Sequence, residues 1–256
     1  MFRSVVITGA SSGLGAALAR AYAAPNVVLG LIGRDAARLA ATEAACKAAG
    51  AQVSAATIDV GDAASLGAWL MDFDRKHPID LLVANAGTSA GPVPGSAAEG
   101  LELATRQVRV NLLGVMNTVE PLLPALIARG KGGIGIVASI AALRGLPYSP
   151  GYSASKAGAR LYAEALRAAL APSGIRVSAI CPGFFDSPMT DRFIGSKPFL
   201  FTLPQAAAYV KRGLDNGRRR IVFPRLLALG LQCADLMPAI LGDAIVRRFH
   251  FHIIPG

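Results

Sequence analysis

The sequence predicts an α/β fold: a doubly wound parallel sheet of about seven strands, with helices on both faces, in a single domain. Three observations carry this prediction. Short apolar runs alternate with longer segments rich in Ala, Leu and Arg, the order of strand and helix that builds a parallel sheet. The short runs are continuously apolar, as strands covered on both faces are. A glycine-rich turn follows the first run at once and opens a helical segment. With crossovers right-handed, such strands wind outward in both directions from the middle of the sheet.

Taken in order, the strand candidates are residues 4–8, 27–32, 52–58, 81–84, 134–138 and 176–180, with a shorter one at 220–223. Helical segments fall between them at 13–24, 36–49, 63–76, 106–129 and 152–171. Gly91-Pro92-Val93-Pro94-Gly95 reads as a turn-rich loop, and residues 184–204 as an irregular excursion over the carboxyl edge of the sheet. Both lie where ligands enter sheets of this kind. There is no internal repeat and no low-complexity linker.

A chain of 256 residues, 53% hydrophobic, is long enough to bury one large core. Cys46, Cys181 and Cys233 are far apart, odd in number and without metal-ligand spacing, which predicts no metal site and a reducing compartment. The start, Met1-Phe2-Arg3-Ser4-Val5-Val6-Ile7-Thr8, runs straight into a strand, so no cleavable signal peptide and a cytoplasmic location are expected. The net charge of +10 is dispersed until the last quarter, where ten Lys/Arg from Thr190 onward face four acids and supply six of those charges. Without interleaved aromatics or a reading module, this pattern excludes a nucleic-acid protein. It suits an anionic cofactor or an anionic surface such as lipid headgroups.

The turn after the first strand reads Thr8-Gly9-Ala10-Ser11-Ser12-Gly13-Leu14-Gly15. Glycine allows a tight turn and close backbone approach, and a helix N-terminus offers unpaired N–H groups to a pyrophosphate. At this position the loop predicts dinucleotide binding. After the second strand comes Ile32-Gly33-Arg34-Asp35. An acid there binds the ribose of NAD, whereas an arginine accommodates the 2′-phosphate of NADP. Gly33 takes the place of the acid and Arg34 stands next to it, which favours NADP(H) over NAD(H). Asp35 is read as the N-cap of the next helix, with a ribose ligand as the alternative. Arg38 could assist Arg34 or be a solvated surface arginine. Asp59-Val60 could cradle the adenine or be an ordinary turn, and the same choice holds for Asn85-Ala86-Gly87 beside a ribose.

Tyr152 and Lys156 are four residues apart and share a helix face, so a phenol sits beside an ammonium. A free phenol titrates near ~10, and a neighbouring cation lowers that value. The pair is a candidate proton donor. Ser139, at the end of a strand, could hold the oxygen being protonated.

Together these residues resemble the classical short-chain dehydrogenase/reductase family. The matching pieces are the loop from Thr8 to Gly15, Asp59, Asn85-Ala86-Gly87, Asn111, Ser139, Tyr152, Lys156 and Pro182-Gly183, in the family's order over roughly residues 1–190. The resemblance implies a Rossmann-type cofactor-binding and catalytic core over 1–190, with 191–256 as substrate loop and C-terminal extension. It implies a tetrad: Tyr152 as acid/base, Lys156 lowering its pKa and binding the nicotinamide ribose, Ser139 orienting the carbonyl, and Asn111 holding a water that links Lys156 to solvent. Read alone, Asn111 is a helix-interior amide satisfying a loop carbonyl. In Pro182-Gly183-Phe184-Phe185-Asp186-Ser187 the resemblance implies a contact of Ser187 with the nicotinamide carboxamide, with Thr190 as the alternative. Phe184 and Phe185 read as a wall of the substrate site or as ordinary packing.

The expected function is NADP(H)-dependent reduction of a ketone, or oxidation of a secondary alcohol, on an apolar or lipid-like substrate. A silent dinucleotide-binding scaffold or sensor and a nucleotide-sugar-modifying enzyme are the alternatives. The departure from the family is the C-terminus, where Arg218-Arg219-Arg220 precedes apolar stretches broken by Arg225, Asp235 and Asp243. No uninterrupted stretch there reaches the ~20 apolar residues of a bilayer span. The expected partners are a second copy, in a homo-oligomer, or a peripheral membrane contact. His250 and His252 alternate as on a strand and read as surface histidines.

Overall fold

The computed structural model describes residues 2–92 and 98–247, together with the backbone of Phe251–Ile253. Val93, Pro94 and Gly95 of the turn-rich loop, Arg248, His250 and the side chain of His252 lie outside the described residues.

The first half runs β1 (Ser4–Thr8), α1 (Gly13–Tyr22), β2 (Val28–Gly33), α2 (Ala36–Ala48), β3 (Gln52–Thr57), α3 (Ala63–Lys76) and β4 (Leu81–Ala84). A long helical stretch follows as α4 (Leu101–Val108), α5 (Gly114–Val119) and α6 (Leu123–Arg129). Then come β5 (Gly132–Val137), α7 (Pro150–Leu170), β6 (Ile175–Pro182), α8 (Pro188–Asp191), β7 (Phe193–Gly195), α9 (Leu203–Asp215) and β8 (Arg220–Phe223). The C-terminal part is α10 (Arg225–Leu236), α11 (Ala239–Val246) and β9 (Phe251–Ile253).

Seven strands form one sheet in the order β3-β2-β1-β4-β5-β6-β8. Every pair in it is parallel, as the alternation of strands and helices requires. Side chains leave the two faces in turn, so Val5 and Ile7 enter one core layer and Val6 the other. The first layer lies under α1, α2 and α9, through Leu14, Leu18, Leu39, Val210 and Leu214. The second lies under α3, α5, α6 and α7, through Leu66, Leu70, Val119, Leu126 and Ala163. Strand order reverses between β1 and β4, and the connections leaving their carboxyl ends run to opposite faces of the sheet, which opens the crevice in which such sheets hold ligands.

Three features depart from the sequence expectation. The helix placed at 106–129 starts at Leu101 and is interrupted twice, by a π turn over Arg109–Leu113 and by a 3-10 turn over Glu120–Leu122. Pro121 has no N–H to continue an α ladder, which accounts for the second break. The excursion at 184–204 contains α8 and β7, and β7 pairs antiparallel with β9, so the chain's end returns to this loop. Helices α9, α10 and α11 are additions to the expected set; α9 shows why such a helix forms. Thr202 and Gln205 form its capping box, and Ala206, Ala207, Val210 and Leu214 bury one face.

Candidate active site

The crevice is built first by fastening β1 to β4. Thr8 is buried, and its Oγ1 accepts the backbone N–H groups of Asn85 at 3.0 Å and Ala86 at 3.2 Å. Asn85 Nδ2 returns a bond to the Thr8 carbonyl at 2.9 Å. This approach leaves no room for side chains. A Cβ on Gly9, whose φ is +68°, would lie 2.8 Å from Ala86 Cα, and one on Gly15 would lie 2.3 Å from the Gly9 carbonyl oxygen. Both positions therefore require glycine.

Helix α1 begins here without help. Ser12 is its N-cap but makes no side-chain cap bond, and the first turn holds no acid. Its terminal N–H groups are thus left for an anion. Gly9, Ser11, Ser12, Gly13 and Leu14 line one end of a cleft of about 340 Å³.

At the side of this cleft, a Cβ on Gly33 would lie 3.0 Å from Ser11 Cβ, so a side chain there would fit only if Ser11 gave way by a few tenths of an ångström. Arg34 is half exposed and faces Asp59, with 3.4 Å between Nη1 and Oδ2. Asp59 Oδ1 also accepts the Gly61 N–H at 2.8 Å. Asp35 is the N-cap of α2: it accepts the Arg38 N–H at 2.9 Å and Arg38 Nε at 2.7 Å. Those bonds hold its carboxyl below the usual range and commit Arg38 to Asp35. Val60 is buried against α5, and its carbonyl takes the Asn117 amide at 2.9 Å.

Toward the middle of the cleft, Tyr152 and Lys156 occupy successive turns of α7, and Ser139 follows β5. Lys156 Nζ donates to the Val137 carbonyl at 2.8 Å and lies 5.9 Å from the centroid of the Tyr152 ring. Burial pushes the Lys156 ammonium down to about 8. The sequence predicts a phenol drawn below its ordinary value by Lys156. In the structure burial raises it instead, and the bond with Ser139 pulls the other way. Removal from water outweighs a cation that is already committed to a carbonyl. Ser139 Oγ also accepts the Ala141 N–H at 3.1 Å, which fixes the hydroxyl beside the phenol.

Asn111 is fully buried in the π turn. Its Oδ1 accepts the Thr88 N–H at 2.8 Å, while Nδ2 donates to the Thr88 carbonyl at 2.9 Å and to Ser155 Oγ at 3.0 Å. Ser155 in turn donates to the Tyr152 carbonyl at 2.8 Å. Asn111 therefore braces the Thr88 loop against α7, and both of its amide donors are engaged. A Cβ on Gly87 would lie 3.2 Å from both Asn111 Oδ1 and Lys156 Nζ, so these groups share one small space.

The far wall is apolar. Gly183 donates to the Phe223 carbonyl at 2.7 Å, and a Cβ there would lie 2.7 Å from Pro224 Cδ, so Pro182-Gly183 runs tightly beside β8. Phe184 packs on Phe193 of β7 with ring centroids 4.8 Å apart. Phe185, Met189 and Leu146 line the same end of the cleft. Ser187 caps α8 by accepting the Thr190 N–H at 3.1 Å, and its hydroxyl lies 2.9 Å from that of Thr190. The two candidates for the carboxamide contact thus form one hydroxyl pair.

Sequence reasoning missed Glu99. This buried carboxylate accepts the Gly151 N–H at 2.7 Å and Gln107 Nε2 at 2.7 Å. It supplies the cap that Ser149 does not, one residue ahead of Tyr152. The acid sits in a polar loop far upstream in sequence, and the only signal was a helix start with no acid in its own first turn.

The family pattern described as short chain dehydrogenase matches residues 3–196. An uncharacterized oxidoreductase of Myxococcus xanthus is 34% identical over 252 residues, covering 96% of this chain and 97% of that one. Among solved structures, a short-chain dehydrogenase from Sphingobium yanoikuyae in complex with NADPH superposes with a TM-score of 0.77 at 25% identity, covering 96% of this chain and 92% of that one. A 3-oxoacyl-[acyl-carrier protein] reductase from Brucella melitensis with bound NAD gives 0.73 at 26% identity, covering 86% and 89%. With its Rossmann-type sheet and this match over most of its length, the chain belongs to the short-chain dehydrogenase family of oxidoreductases.

Proposed function

We propose that the chain catalyses reversible hydride transfer between NADP(H) and a ketone or secondary alcohol whose substituents are apolar. The observation that carries this reading is a single cleft joining the uncapped N-terminus of α1 to the Tyr152 phenol and its Ser139 partner. A nicotinamide bound there supplies the hydride. The chain supplies position and the proton. Gly9, Ser11, Ser12, Gly13, Leu14 and Gly15 fit a pyrophosphate; Asp59 and Val60 fit the adenine, and Asn85, Ala86 and Gly87 a ribose. Pro182, Gly183 and Ser187 close the carboxamide side. Ser139 holds the substrate oxygen, Tyr152 delivers its proton to that oxygen, and Lys156 steadies the phenolate left behind. Asn111 keeps α7 and the Thr88 loop in place for them.

Two features support NADP(H) over NAD(H): the lack of an acid at Gly33, where a side chain would press on Ser11, and the commitment of Asp35 to the cap of α2. Only Arg34 then meets the 2′ position. Arg34→Asp should move the NADPH:NADH preference toward NADH by at least about tenfold, the value of one charge-assisted bond. An unchanged ratio removes Arg34 from that role.

The apolar end formed by Phe184, Phe185, Met189 and Phe193 supports an apolar substrate. Purified protein with NADPH and a matched series of apolar and polar ketones tests it. Faster loss of nicotinamide absorbance with the apolar members is expected; bound NADPH with no turnover of any ketone favours the scaffold instead. One domain over 1–256, a homo-oligomer and a cytoplasmic location complete the proposal. The incorporation of β8 into the main sheet, exposed Leu113 and Leu161, and the free thiols of Cys46, Cys181 and Cys233 support them respectively.

A further inference from the structure

We propose that the face formed by the end of α9, the turn before β8, α10 and α11 binds the surface of an anionic lipid bilayer. Arg212, Arg218 and Arg225 take headgroup phosphates there. The inference is independent of what the active site reduces.

The binding element is a cleft of about 400 Å³ away from the crevice. Arg212, Arg218 and Arg225 line it together with Phe199 and Leu226, over a floor that includes Tyr209 and Phe223. Among the described residues, none of the three guanidiniums has an ion pair or side-chain hydrogen bond. Of the basic residues beside them, Lys211 is paired with Asp215 at 2.7 Å and Arg220 with Glu164, while Arg219 has no ion pair among the described residues. Three free cations around an aromatic floor make a site for phosphate oxygens, which arginine meets with paired donors.

The apolar element adjoins it. On α10, Ala228, Leu231 and Ala234 are buried. On the opposite side Leu226, Leu229, Cys233 and Leu236 follow one another three and four residues apart, forming one exposed stripe. Leu226 is 70% exposed, Leu236 87% and Ile240 of α11 85%. A helix facing water is polar on its outer side; this one is not. The two acids on these helices oppose the charge only in part, because Asp235 and Asp243 share Arg144, at 3.2 and 2.6 Å, on the loop after Ser139, which leaves one net negative charge against three arginines.

Charge decides the occupant. A two-fold contact through this face would put two copies of the same positively charged patch against each other, at a repulsive cost. An anionic headgroup layer neutralises them while its acyl boundary receives the leucines. Helices of 12 and 8 residues are too short to cross the ~30 Å core, so the contact is peripheral.

The test uses the full chain and sedimentation with vesicles of phosphatidylcholine alone or with phosphatidylglycerol added. Binding is expected only to the anionic vesicles and should weaken as salt rises. Replacing Arg212, Arg218 and Arg225 together with Ala should reduce it on the order of a hundredfold, from the usual contribution of each basic residue at such a surface. All three are exposed, and an unchanged thermal melt confirms that the variant is folded. Absence of binding, or binding that ignores lipid charge or survives the triple substitution, overturns the proposal. So does a sedimentation-equilibrium mass that falls from dimer to monomer in Leu236→Ser/Ile240→Ser, which assigns the face to a second copy.

Discussion

The crevice at the carboxyl edge of the sheet and the helices at the C-terminus break the ordinary burial rule in opposite directions. Around the crevice polar groups are inside: Asn111 and Gln107 are fully buried, and Thr8, Ser155, Glu99 and Lys156 nearly so. All of them are satisfied, and among the described residues no buried side-chain polar atom lacks a partner. At α10 and α11 apolar groups are outside, beside guanidiniums that have no ion pair or side-chain hydrogen bond among the described residues. Buried polar groups are tolerated only when fully bonded, and the bonding that satisfies them also fixes geometry. Exposed apolar groups impose no geometry; they wait for a surface. One region is organised to do chemistry by itself and the other to meet something else.

The largest expected effect tests the first region. Tyr152→Phe removes the proton while keeping the ring, so kcat should fall by about 10²- to 10⁴-fold. Dinucleotide affinity should stay within a few-fold of the parent, since the loop from Gly9 to Gly15 is untouched. Single-turnover kinetics beside equilibrium titration separates the two. Next in size is Leu18→Ala. Leu18 on α1 is fully buried beneath the helix that presents its N-terminus to the cleft. Removing it should cost about 2–5 kcal/mol in denaturant unfolding. A cost under half a kcal/mol would sink the claim that the crevice stands on a rigid core.

The two regions were unequally legible in the sequence. The glycine loop at the end of β1 and the shared helix face of Tyr152 and Lys156 were readable because such placements depend on short spacings that survive without coordinates. So was the sheet, whose buried strands are continuous apolar runs. Glu99 was not: it caps α7 across 52 residues, and a carboxylate in a loop has no local mark of its target. The direction of the Tyr152 shift was missed for a related reason. A neighbouring cation can be read from i,i+4 spacing, but the amount of water excluded around both groups cannot. Helix α9 was legible in principle, since Thr202-x-x-Gln205 and the apolar set from Ala206 to Leu214 follow the rules for a capped helix. The free state of Arg212, Arg218 and Arg225 needed coordinates, because a run of basic residues does not say which members are paired.

The next effect sharpens what burial does inside the crevice. Lys156 is held down at about 8, so it loses its charge as pH rises through that value. The lost cation no longer steadies the phenolate that Tyr152 becomes on donating its proton. Reductive kcat/KM should therefore be level below pH 8 and decline above it. Lys156→Arg keeps the charge throughout the accessible range and should remove that limb, even with a lower plateau. Coincident profiles would assign the limb to another group.

The smallest expected effect is the informative counterpart of Leu18→Ala. Leu229 has the same side chain but lies 57% exposed on α10, outside the packing of Ala228, Leu231 and Ala234. Leu229→Ala should change unfolding free energy by no more than about 0.5 kcal/mol, the usual range for a surface substitution. A loss approaching that of Leu18→Ala would mean that Leu229 is covered in the isolated protein, and the contrast between the two regions would vanish. A small loss, measured under the same conditions, separates leucines that hold the fold from leucines that do not. That separation is what licenses a reading of the C-terminal stripe by its function, because nothing in the stability of the chain then accounts for an apolar face in water.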